Sequence, residues 1–172
     1  MRVIESPRLV LEPQCTAHAQ AMFTVLSDPA IYTYENAPPA SLEWLQRRFA
    51  ALEARHSPDG REQWLNWVLR LRAGELIGFV QATVQAEGRA SIAYELASAH
   101  WGCGLASEAV EAMTSELAAH FGVHTLAAVF KRANTRSRRL LERQGFRPVA
   151  SAAVDDDEDM MQRTLTATGM PR

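Results

Sequence analysis

The chain has 172 residues, 47% of them apolar and 22% charged, with a formal net charge of −2. This describes one globular domain, taken as residues 1–172, and excludes a general nucleic-acid binder, which carries a basic surplus. No apolar run nears the roughly 20 residues that span a bilayer, the opening "MRVIESPRLV" lacks a leader's apolar segment, and Cys15 and Cys103 form neither a disulfide framework nor a metal-site spacing, so a cytoplasmic protein with no metal and no membrane is expected.

"RLVLEP" reads as a first strand closed by Pro13. Thr16 is placed to cap a helix running to about Ser27, with Ala19, Met22, Phe23 and Leu26 on one face. Asp28-Pro29 stops it. Residues 31–40 read as a loop. Ser41 caps a second helix with a stripe of Leu42, Leu45, Phe49 and Leu52. "HSPDGRE" breaks the chain again.

Leu65, Trp67, Leu69 and Leu71 alternate with mostly polar neighbours, the period of a strand. "AGE" turns into a second strand, "LIGFVQATV", so the two form a hairpin. After "EGR" comes a third, "ASIAYEL", with Ile92, Tyr94 and Leu96 on one face and Glu95 on the other. From Leu105 the apolar spacing predicts a long helix ended by Gly122. "HTLAAVF" is another strand. Asn134 caps a last helix, and Gly145 stops it. Residues 146–154 and 159–166 read as a closing pair of strands. The order predicts a mixed α/β arrangement around one sheet.

Charge is unevenly spread. Seven basic residues and the single acid Glu142 lie between Lys131 and Arg147, whereas Asp155–Asp159 reads "DDDED". Such segments attract an anion and a cation respectively, or are two solvated surfaces.

The stretch "HWGCGLASEA" joins a strand to a helix through Gly102 and Gly104. The first N–H groups of a helix lack internal partners and carry its partial positive charge. Glycine lets that backbone approach a phosphate. No Lys follows the glycines, as a P-loop requires. Ser107 stands at the third glycine position of a dinucleotide fingerprint, and the strand at 124–130 lacks the acid that binds ribose.

These segments together resemble the GNAT (Gcn5-related) N-acetyltransferase superfamily, closest to its RimJ/RimL-like branch. "WGCGLA" is similar to the family's Gln/Arg-x-x-Gly-x-Gly/Ala signature, with Gly104 and Ala106 in place and Trp101 where Gln or Arg is usual. "SPRLVLEP", "GELIGFVQATV", "IAYEL" and "NTRSRRLLERQGF" match further family segments in the right order across most of residues 6–150.

The resemblance implies a single, mostly antiparallel mixed sheet flanked by helices. It implies acetyl-CoA as the donor, with pyrophosphate held by Trp101, Gly102, Cys103, Gly104, Leu105, Ala106 and Ser107. Backbone at Leu96 and Ala97 would hold the pantetheine arm and polarise the thioester. Asn134 would contact the same arm, and Arg138, with Arg136, the phosphates. Glu95 is the expected base, acting through water. Many relatives use a tyrosine seven residues after the helix-start asparagine as the acid. Leu141 stands there, and Ser137 takes its place in this reading, as the acid or as a hydrogen-bond donor to the leaving sulfur. Trp44, Tyr32 and Tyr34 border the expected acceptor site. The acceptor is the N-terminal α-amine of a protein or a small-molecule amine, with the acidic turn favouring a cationic one. A non-catalytic acyl-CoA-binding module is the alternative. Monomer and homodimer both remain open.

Overall fold

The computed structural model describes residues 1–34, 36–150 and 154–165. In chain order the elements are β1 (Ile4–Glu5), β2 (Leu9–Pro13), α1 (Ala19–Leu26), α2 (Leu42–Leu52), β3 (Gln63–Leu71), β4 (Leu76–Gln85), β5 (Arg89–Leu96), α3 (Leu105–His120), β6 (Thr125–Lys131), α4 (Thr135–Arg143), β7 (Arg147–Val149) and β8 (Glu158–Thr164). The strands form one sheet in the order β1-β2-β3-β4-β5-β6-β8-β7. Every neighbouring pair is antiparallel except β5–β6. This is the mixed, mostly antiparallel sheet flanked by helices that the sequence predicts. The final predicted strands extend into residues 151–153 and 166, which lie outside the described residues.

Local signals act where they were read. Ser41 accepts from the Trp44 N–H at 3.1 Å and starts α2. Asn134 accepts from the Ser137 N–H at 3.1 Å and starts α4. Thr16 does not cap the first helix, because Cys15, whose N–H donates to His18 Nδ1 at 3.1 Å, is the N-cap one residue earlier. A single 3-10 turn, Thr16–His18, precedes α1, and the Thr16 hydroxyl donates to Glu53 at 2.6 Å.

Two cores lie on opposite faces of the sheet. Leu65, Trp67 and Leu69 of β3 face Val110, Met113 and Leu117 of α3 and Leu140 and Leu141 of α4. Val68 of the same strand packs with Met22 and Leu26 of α1 and Leu45 and Phe49 of α2. So β3 is buried on both sides from Leu65 to Leu69, where its sequence predicts one wet face. The helices α1 and α2 cover that second face, and a mid-sheet strand then tolerates no solvated side.

No helix among the described residues is long and apolar enough to cross a membrane. No cluster of three or more His, Cys, Asp or Glu residues that could hold a metal occurs among them.

Candidate active site

The sheet opens at its one parallel joint. β5 pairs with β6 only at Arg89–Thr125, Ala90–Leu126 and Ser91–Ala127. Beyond these pairs β5 continues to Leu96 and β6 to Lys131 without bonding each other. A cavity of about 670 Å³ occupies the gap. Its walls come from both faces of the sheet. Trp101, Ala106 and Leu140 line it on the α3–α4 side, and Tyr32, Trp44 and Phe49 on the α2 side. Volumes of this order suit a small-molecule site.

The glycine turn sits at the cavity's α3 end. Gly104 is the N-cap of α3 with φ +76°, and Gly102 has the same φ. A side chain at Gly102 would meet nothing within 4 Å, and one at Gly104 only Arg8 Nη2 at 3.5 Å. Backbone conformation, rather than crowding, therefore calls for glycine here. No side chain caps the helix. The N–H groups of Leu105, Ala106 and Ser107 thus have no intrahelical partner and present a partial positive charge. Cys103 is exposed, and its carbonyl accepts from Arg8 Nη1 at 2.8 Å. The Ser107 carbonyl accepts from Gln144 Nε2 at 3.2 Å.

The end of β5 forms the inner rim. The Ala97 N–H donates to the Ile77 carbonyl at 2.9 Å and is not free to bind a ligand. Antiparallel alternation then turns the polar groups of Leu96 the other way, into the gap. The Leu96 carbonyl accepts from the Trp101 indole at 2.8 Å, which leaves its N–H facing the cavity. Gly78 of β4 lies against this segment so closely that a Cβ would sit 2.1 Å from the Glu95 carbonyl oxygen. The Trp101 ring in turn lies 3.7 Å beneath the Arg136 guanidinium.

Glu95 lines the cavity beside Tyr32, whose phenol is pushed up to about 12 by burial and by the Glu95 and Asp28 carboxylates. Ser137 lines it from the first turn of α4, and its hydroxyl lies 2.8 Å from that of Tyr94. Burial pushes the Tyr94 phenol up to about 12. Leu141, at the usual tyrosine position, is fully buried in the core, and Leu140 lines the cavity instead. Asn134 also lines it while acting as the α4 cap.

The charge asymmetry resolves within the molecule. Lys131 contacts Asp157 and Glu158 at 3.0 Å each, Arg132 contacts Asp159 at 3.2 Å, and Arg138 also pairs with Asp159. Three of the five acids, Asp157, Glu158 and Asp159, thus pair with the basic segment, and none of the five lines the cavity. Arg138 is held by Asp159, so Arg136 is the arginine of α4 at the cavity wall. His100, next to the glycine turn, points to Glu75 at 3.5 Å. Trp67 is core, whereas Trp44, Tyr32 and Tyr34 do line the cavity.

Comparison with known proteins assigns this fold to a family. Residues 8–147 match the model of the acetyltransferase (GNAT) domain. The chain belongs to the GNAT family and is an N-acetyltransferase. It is similar to the uncharacterized N-acetyltransferase YoaA of Bacillus subtilis (strain 168), at 27% identity over 84% of this chain and 82% of that protein. Among solved structures it is similar in fold to RimL, a ribosomal L7/L12 alpha-N-protein acetyltransferase in complex with coenzyme A. The TM-score is 0.83 at 17% identity, covering 96% of this chain and 99% of that one. It also resembles in fold the aminoglycoside acetyltransferase AAC(6')-Ib in complex with coenzyme A, with TM-score 0.75 at 22% identity and coverage of 91% and 94%.

Proposed function

We propose that the protein transfers an acetyl group from acetyl-CoA to a primary amine while both are bound. The observation that carries this reading is the cavity that passes through the parted sheet. A donor seated on the α3 side and an acceptor seated on the α2 side meet in the gap. Holding both converts an encounter into a positioned reaction.

The residues present fit the donor. The uncapped amides of Leu105, Ala106 and Ser107 would take its pyrophosphate, and the Leu96 N–H its carbonyl oxygen, where negative charge develops. Acetyl-CoA supplies the activated thioester. Glu95 takes the amine's proton through water.

The acceptor is best read as a molecule with one amine and an apolar body. Among the described residues the cavity's charged lining is Arg48, Glu95 and Arg136, and its α2 side is aromatic. That balance disfavours a polycation. It favours a protein N-terminal α-amine, as in the name of RimL, over an aminoglycoside, as in the name of AAC(6')-Ib.

Thermal stabilisation by CoA, followed by thiol release from acetyl-CoA with peptides and small amines, tests the reading. Stabilisation with turnover of α-amine peptides is the expected result. Stabilisation with no turnover on any amine leaves an acyl-CoA-binding module, and no stabilisation rejects both.

A further inference from the structure

We propose that Tyr94 is a positioning residue that aims the Ser137 hydroxyl hydrogen into the cavity, where it hydrogen-bonds the sulfur of the departing thiol. The inference rests on the acetyl-transfer reading above.

The Tyr94 and Ser137 oxygens are 2.8 Å apart, and the distance alone lets either one donate. The surroundings decide the direction. Tyr94 packs against the core under α3 and α4, and burial holds its phenol at about 12. A phenol O–H is a stronger donor than an alcohol O–H, and the alcohol oxygen is the better acceptor, so the pair favours Tyr94 as donor. Ser137 Oγ is the acceptor that the described residues provide. Tyr94 therefore donates, and Ser137 receives.

A serine hydroxyl has one hydrogen and two lone pairs. With a lone pair taken by Tyr94, the hydrogen must turn elsewhere. In a helix its usual outlet is the carbonyl four residues back. That carbonyl belongs to Ala133, before the α4 cap, and the Ser137 hydroxyl makes no such bond among the described residues. The Ser137 N–H is occupied separately by Asn134. The remaining direction for the hydroxyl hydrogen is the cavity that Tyr94 and Ser137 both line.

In the transfer the amine nitrogen bonds to the acetyl carbon, and the carbon–sulfur bond breaks. The electron pair stays on sulfur, and the proton given up by the amine reaches that sulfur through solvent. Between those events the sulfur is anionic. A fixed O–H donor stabilises the charge as it forms. Neither hydroxyl surrenders its proton, since that would leave a phenolate where burial opposes one. Ser137 is thus a hydrogen-bond donor to the leaving group, the second of the two roles that its position in the sequence suggests, and Tyr94 is what aims it.

The test is to titrate the thiol of CoA bound to the whole protein, by thiolate ultraviolet absorbance, in the wild type, Tyr94→Phe, Ser137→Ala and the double variant. Ser137→Thr, which keeps the hydroxyl, controls for packing. In the wild type the bound thiol should ionise on the order of one pH unit lower than in Ser137→Ala. Tyr94→Phe should lose that advantage, the double variant should lose no more, and Ser137→Thr should retain it. With a productive acceptor, kcat should fall about 10-fold in Tyr94→Phe while KM for acetyl-CoA holds. A bound thiol that titrates alike in the wild type and Tyr94→Phe overturns the proposal. So do additive effects of the two substitutions. Failure of the wild type to bind CoA instead overturns the donor reading on which it rests.

Discussion

Arg8 and Glu108 face each other at 2.6 Å, the arginine just ahead of β2 and the glutamate in the first turn of α3. Glu108 also accepts from the Ser6 hydroxyl and the Arg8 N–H at 2.7 Å each. The same guanidinium holds the Cys103 carbonyl. The glycine turn is thereby fastened to the start of the chain, and the one acid in the first turn of α3 is neutralised beside a site that receives an anion. Arg8→Ala should weaken CoA binding about 5-fold, the effect of losing roughly one hydrogen bond's net contribution, as read by calorimetric titration. An unchanged affinity would show that the turn holds itself.

Gly104→Val forces a β-branched residue into a left-handed backbone, at a cost of about 1–2 kcal/mol, and sets a side chain among the free amides. The expected outcome is a folded protein whose melting temperature no longer rises with CoA. Stabilisation equal to the wild type would place the pyrophosphate elsewhere.

Gly78→Ala acts through the sheet. Its methyl would meet the Glu95 carbonyl at 2.1 Å, and backbone there has no rotamer with which to retreat. Overpacking of this kind costs about 1–3 kcal/mol. Stability and kcat should fall together, since the strand displaced is the one carrying Glu95 and Leu96. Urea unfolding and steady-state rates on the same sample check this.

Glu95→Gln keeps the shape and removes the base. We expect kcat to drop on the order of 10²-fold with KM for acetyl-CoA held. Retention of wild-type kcat would move the base to another residue.

Alkali should destabilise the protein through two of its phenols. Tyr32 and Tyr94 are each raised to about 12. The fold favours their neutral forms, so this stabilisation is complete below the unfolded value near 10 and is lost as pH rises toward about 12. Urea midpoints between about pH 9 and about pH 12 should decline less steeply in Tyr94→Phe than in the wild type. Parallel declines would mean that Tyr94 is more solvated than its packing indicates.

What the sequence disclosed was local. Ser41 and Asn134 cap helices, and Gly104 starts one, because the groups involved lie within a few residues of each other. What it concealed depends on topology. Alternation correctly puts Tyr94 on the face of Ile92 and Leu96, which reads as core. Parting from β6 opens that same face to a cavity, and no single strand records where its neighbour will leave it. The partner, Ser137, is 43 residues away. The acidic and basic segments looked like two separate attractors. The register that sets Lys131 opposite Glu158 brings them together, and three residues of each pair across it.

One contact also determines how the cleft behaves before anything enters it. Trp101 hydrogen-bonds the end of β5 while its ring lies under Arg136 of α4. It is a crossbar over the fork in the sheet. It ties the end of β5 to the helix that follows β6, so a ligand that widens the slot works against this contact.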